Sequence, residues 1–294
     1  MPIPAEVTRI SLKNVLLPTD FSESSRTAVP FARAIAQVYG ASILLAYAIP
    51  PEPHQSVVFD RVPPYDDVVW LDARQKLTNF GETEPFAGLH CKFLLGQGAL
   101  SEVIPEMIRD NQVDLVILGT HGRKGLGRLA LGSGAEQIYR ASPCPVLTVG
   151  PKVHPPAEWK LRSVLCAIDL SENPEPALRY ALSLAEENQA KIIILGTIRP
   201  VPFQYCASEE ERARRAVETL IPPHAADWCK PEIVFRSDYP AAAILQVAHG
   251  EAANLIVMSV HTARAAALSS HLPWPTASEV LSRAECPVLT LRIT

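Results

Sequence analysis

One short string occurs twice in this chain. Cys144-Pro145-Val146-Leu147-Thr148 returns unchanged as Cys286-Pro287-Val288-Leu289-Thr290, 142 residues later. Two further matches keep the same order. Val15-Leu16-Leu17-Pro18-Thr19-Asp20-Phe21-Ser22 resembles Val164-Leu165-Cys166-Ala167-Ile168-Asp169-Leu170-Ser171, with Asp20 and Asp169 149 residues apart. Asp114-Leu115-Val116-Ile117-Leu118 resembles Asn254-Leu255-Ile256-Val257-Met258, at a spacing of 140. Such a period is far beyond the roughly 20–50 residues of a solenoid unit. It describes two copies of one domain, each near half of the 294 residues. The expected division is 1–150 and 160–294. The linker between them carries Pro151, Pro155 and Pro156. It is short and stiff, so the two domains are expected to pack together.

Within each copy, short apolar runs alternate with helical patterns. Strands are predicted over 13–19, 42–48, 89–95, 114–119 and 146–149 in the first copy. In the second they fall near 162–168, 191–197, 232–236, 254–259 and 287–292. Helices fill the spaces between, near 24–39, 66–80, 100–111 and 134–141, then 175–188, 208–220, 240–249 and 276–284. Pro30 is expected to kink the first of these, and Gly40 to end it in the left-handed conformation. A Pro-rich stretch over 50–64 separates the second strand from the second helix. Continuous apolar strands separated by helices imply a parallel sheet covered on both faces. The expected fold is α/β: two tandem doubly wound domains, each a five-stranded parallel sheet with helices on both faces.

Composition narrows the function classes. A formal net charge of -4 and pI near 6.1 give no footprint for non-specific nucleic-acid binding. No apolar run reaches the length of a membrane span, and the first residues lack a signal-peptide core. The six cysteines form no CxxC pair and no metal-ligand spacing. They read as reduced thiols, so a cytoplasmic protein is expected. Cys144 and Cys286 hold equivalent strand starts, which suits small core residues better than nucleophiles. The eight histidines show no shared spacing, and no metal site is expected.

Open parallel sheets take ligands outside the carboxyl ends of their strands, where strand order reverses. Two segments of the first copy end there: Pro18-Thr19-Asp20-Phe21-Ser22 and residues 119–134. The latter holds six of the 14 glycines: Gly119, Gly122, Gly125, Gly127, Gly132 and Gly134. Glycine lets backbone N–H groups approach a ligand closely, and successive N–H groups form an anion nest. Gly132-Ser133-Gly134 leads into a helix whose N-terminus favours a phosphate. Arg123, Lys124 and Arg128 add positive charge. A plain surface loop with solvated basic residues is the competing reading. The loop is not a Walker A motif, because Arg128-Leu129 follows Gly127. Gly96-Gln97-Gly98 is expected only to turn the chain. Asp20 suits ribose hydroxyls or an adenine amino group, or it caps the following helix. His121 faces a phosphate or supports the loop. Ser133 has no His/Asp partner in sequence, and no catalytic residue emerges.

Gly119-x2-Gly122-x9-Gly132-Ser133 resembles the nucleotide motif of the universal stress protein family, of the ATP-binding type. Pro18-Thr19-Asp20-Phe21-Ser22 is similar to that family's first-strand motif, and Pro143-Cys144-Pro145-Val146-Leu147 to its last. The resemblance covers nearly the whole chain as a tandem pair. It implies a five-stranded parallel sheet binding ATP, often with a divalent metal such as Mg, and a role in stress survival. It places Pro18, Thr19 and Asp20 at the adenosine and Ala48 in the base pocket. Gly119, Gly122, Gly132, Ser133 and Gly134 would hold the phosphates, with Arg123 adding charge. It also implies domain pairing through the last strands, here inside one chain, with a homodimer open.

The second copy departs from this pattern. Ser259-Val260-His261-Thr262 stands where Gly119-x2-Gly122 stood, and His271-Leu272-Pro273-Trp274-Pro275 replaces the later Gly-Ser. Side chains take the space that phosphates need, and prolines remove donors. Asp169 and Ser171 remain, so part of a base or ribose pocket survives. Three readings follow: an ATP-binding stress or regulatory protein with one site in the first domain, a slow ATPase or phosphotransferase, and a nucleotide-free interaction scaffold.

Overall fold

Leu16 and Leu17 are neighbours in sequence and lie in different cores. A computed structural model describes residues 10–51, 65–120, 132–169, 173–197, 207–261 and 273–293. Asn14–Pro18 forms strand β1. Successive side chains of a strand point to opposite faces. Val15 and Leu17 therefore join one apolar cluster, and Leu16 joins the other. All three are completely buried. A strand covered on both faces must be apolar at every position, which is why β1 shows no alternation.

The helix predicted over 24–39 divides in two. Glu23–Arg26 forms α1 and Val29–Tyr39 forms α2, with Pro30 in the first turn of α2. Proline lacks the N–H a helix interior requires and its ring strikes the carbonyl four residues back. The chain therefore stops and restarts, so that Pro30 begins a helix, where its missing N–H costs nothing. Gly40, at φ 64°, ends α2 as expected.

The rest of the first half runs β2 (Ser42–Ile49), α3 (Tyr65–Gly81), a 3₁₀ turn at Glu84–Phe86, β3 (Cys91–Gln97), α4 (Leu100–Asp110), β4 (Leu115–Gly119), α5 (Ser133–Ala141) and β5 (Val146–Val149). The second half repeats it as β6 (Ser163–Ile168), α6 (Glu175–Asn188), β7 (Lys191–Thr197), α7 (Ala207–Leu220), a 3₁₀ turn at Pro223–Asp227, β8 (Glu232–Arg236), α8 (Pro240–Gly250), β9 (Leu255–His261), α9 (Pro273–Arg283) and β10 (Val288–Ile293).

The ten strands form one sheet, in the order β3-β2-β1-β4-β5-β10-β9-β6-β7-β8. Within each half every pairing is parallel, for example Leu16 with Leu44 and Leu16 with Val116. The halves meet at β5 and β10, which pair antiparallel through Leu147 and Leu289. The linker is part of the core. Trp159 is buried with its ring 5.2 Å from that of Phe31 on α2. In the first half, strand order reverses between β1 and β4, so their carboxyl ends part and leave a crevice.

Candidate functional site

The end of β1 is built by a chain of short hydrogen bonds. The Thr19 N–H donates to the Ala46 carbonyl at 2.8 Å, holding the turn against β2. Phe21 then takes φ 63°, uncommon for a non-glycine residue. Its N–H donates to Thr19 Oγ1 at 2.9 Å, and its ring packs 4.9 Å from Tyr47. Asp20 Oδ1 accepts from the Ser22 N–H at 3.0 Å and from the Ser22 hydroxyl at 2.5 Å. Ser22 Oγ in turn accepts from the Ser25 N–H at 3.2 Å and caps α1. Asp20 is therefore not the helix cap. It holds the residue that is, and stays at the surface beside the crevice.

That crevice has a volume of about 610 Å³, within the range of small-molecule sites. Pro18, Thr19 and Asp20 line one side, and Ala46 and Ala48 of β2 line the floor. Gly119 ends β4 there, and Gly132, Ser133 and Gly134 open α5 opposite. Eight of the ten residues singled out in the sequence thus border one cavity. Gly122 and Arg123 lie outside the described residues, as do His121, Lys124, Arg128 and Ser171.

Gly132 is the N-cap of α5 and has no side chain with which to cap it. The first-turn N–H groups of a helix have no partner within the helix, and its dipole places partial positive charge there. Electrostatically, such a helix terminus favours negative charge. The small side chains of Ala46 and Ala48, with Ile104 and Leu118 behind them, leave an apolar slot beside it.

Two glycines have roles beyond those expected. A Cβ on Gly119 would lie 2.0 Å from the Ser24 carbonyl oxygen and 2.8 Å from Thr27 Oγ1. Gly119 is glycine because α1 packs directly on it. Gly98, expected only to turn the chain, borders the cavity at φ +135°. Ser25, Tyr47 and Gln137 also border it and had no signal in the sequence. Ser25 Oγ lies 3.1 Å from Thr19 Oγ1, a contact between loop and helix that only folding creates.

The second half carries larger side chains at the equivalent strand positions. By strand register, Leu195 stands where Ala46 does, and Thr197 where Ala48 does. Tyr239 begins α8 where Ala99 begins α4. Ser259 takes the place of Gly119, and β9 continues past it to His261, still paired with Ile293 of β10. In the first half, β4 stops at Gly119. Cys144 and Cys286 behave as core residues: burial pushes both thiols up to about 12. Among the described residues, no group of three or more His, Cys, Asp or Glu is placed to hold a metal ion. No helix among them is long and apolar enough to cross a membrane.

Fold and crevice together define a tandem doubly wound α/β protein with a switch-point cleft in its first half. The family model described as the universal stress protein family matches residues 11–150 and again 160–292. The Thermus aquaticus protein described as universal stress protein in QAH/OAS sulfhydrylase 3'region is 31% identical over 140 residues, 47% of this chain and 98% of that one. Universal stress protein MJ0577 of Methanocaldococcus jannaschii is 26% identical over 155 residues, 48% of this chain and 96% of its own. A crystal structure of a universal stress protein from Archaeoglobus fulgidus has the same fold, with a TM-score of 0.73 at 20% identity, covering 96% of this chain and 99% of that one. The chain belongs to the universal stress protein family.

Proposed function

We propose that the protein is a nucleotide-responsive stress or regulatory protein that binds one ATP per chain, in the crevice of its first half. The observation that carries this reading is the pairing of a helix N-terminus, at Gly132–Gly134, with the polar turn at Thr19 and Asp20 across one cavity. The first is suited to phosphate, the second to a ribose or a base amino group. Ala48 and its apolar neighbours would take the flat face of the adenine. Gly122 and Arg123 would complete the phosphate site from the adjoining loop. A Mg ion would enter on the phosphates, since no cluster of protein ligands is present among the described residues. The second half has larger side chains and a longer strand at the matching place, so it stays empty of ATP and serves to complete the sheet.

Denaturing the purified protein and identifying released nucleotide by mass spectrometry tests this directly. One ATP per chain is expected, and Gly132→Val should abolish it by placing a branched side chain at the helix entrance. A wild-type protein with neither bound nucleotide nor saturable ATP uptake would overturn the reading. Accumulation of ADP at a catalytic rate would replace it with the ATPase alternative.

A further inference from the structure

A second cavity, of about 350 Å³, lies between the halves on the face of the sheet that carries α2 and α6. Its floor is the middle of the sheet, with one leucine from each central strand: Leu115, Leu147, Leu289 and Leu255. Ile35 of α2 and Leu184 of α6 wall it in. These six form three pairs related by the internal repeat. Each half therefore supplies half of the cavity, and neither encloses it alone.

The polar groups break that symmetry. Tyr180 stands where the repeat has Phe31, and Tyr39 where it has Asn188. Tyr39, Tyr180 and the linker residue Trp159 all line the cavity. Their hydroxyls and indole N–H are sealed from solvent, and no hydrogen bond to them meets the distance and angle limits among the described residues. Burial raises both phenol pKa values. At the exposed edge stand Lys160, 3.3 Å from Glu158, and Arg162, which makes no ion pair among the described residues. Such a site offers an apolar floor and a cationic edge.

We propose that this cavity binds an amphipathic monocarboxylate, with its hydrocarbon tail on the leucine floor and its carboxylate at Arg162 and Lys160. An apolar cavity of ~150 Å³ accepts benzene, so this one accommodates a tail of roughly ten to twelve carbons. Lys160 and Arg162 are the charged side chains in its lining, so they are the groups that meet the head. The site is separate from the nucleotide crevice and does not depend on it.

Equilibrium dialysis of the full chain with labelled decanoate, below its micelle concentration, tests the proposal. Saturable uptake of one decanoate per chain is expected, unaffected by ATP. Ala34→Trp and Val38→Trp each fill the cavity from α2 and should weaken binding at least about tenfold. Val38 is already 54% exposed, so its replacement leaves the packed core intact, and circular dichroism should report a native fold. Arg162→Glu should weaken decanoate about tenfold and leave uncharged decanol unchanged. Absence of saturable uptake, or uptake unaltered by both tryptophan variants, overturns the cavity assignment. Equal losses of decanoate and decanol in Arg162→Glu overturn the placement of the head.

Discussion

The guanidinium of Arg292, on the last strand of the second half, donates a 2.7 Å hydrogen bond to the backbone carbonyl of Tyr139 in the first. It also bonds the carbonyl of Arg140. Both acceptors lie in the last turn of α5, whose carbonyls have no partners within the helix. A cation there complements the helix dipole. The helix that opens on the crevice at one end is thus secured by the other domain at its far end.

Replacing this contact should have two effects. Arg292→Gln removes the charge and should cost about 1 kcal/mol, below the full value for a charged hydrogen bond because the side chain is only half-buried. Urea denaturation measures that loss. If α5 carries the phosphates, ATP affinity should also fall, by about threefold. Unchanged stability would show that the contact contributes nothing.

Gly119→Ala should destabilise by about 2 kcal/mol, because the new methyl meets the Ser24 carbonyl oxygen at 2.0 Å and α1 must shift. Gly250→Ala is the control. A Cβ there has nothing within 4 Å, and the loss of unfolded-state entropy should leave stability unchanged or raised by up to about 1 kcal/mol. Equal effects at the two positions would refute the packing explanation.

Ser22→Ala should cost about 1 kcal/mol through loss of the α1 cap. It also removes the hydroxyl bond to Asp20 Oδ1 and leaves only the backbone N–H bond to hold that carboxylate. ATP affinity, measured by calorimetry, should therefore drop in Ser22→Ala although Ser22 need not touch the nucleotide. An unaltered affinity would mean that Asp20 needs no such positioning.

Burial pushes the Cys166 thiol from near 9 up to about 12. The native state holds this proton more tightly than the unfolded chain. Its contribution is complete below the unfolded value and is lost as pH rises through the folded one. Stability should therefore decline between about pH 9 and pH 12, by at most about 1.4 kcal/mol per pH unit for this thiol. Cys166→Ala should flatten that slope. An identical slope in the variant would assign the decline to other groups.

Much of the architecture was legible because it is local. Strands buried on both faces must be continuously apolar, so β1, β2, β6 and β7 stand out within a few residues of their ends. The crevice residues were legible for the same reason: they follow strand ends or precede a helix. Pro30 was misjudged because proline breaks or begins a helix depending on where the chain can restart. The packing role of Gly119 was not legible, because glycine serves a ligand and a packed backbone alike and sequence does not say what lies against it.

The amino-acid sequence by itself determined two copies of one α/β domain and the loss of the glycine loop from the second. Periodicity, turn residues and repeat spacing are properties of neighbouring residues, and they survive without a fold. The tertiary structure alone decided that ten strands form one sheet through Leu147 and Leu289. It also extended β9 to His261 and enclosed a cavity between α2 and α6. Each of these depends on contacts between segments well separated along the chain. Such contacts form only where register and packing bring the surfaces together, and no local pattern encodes them.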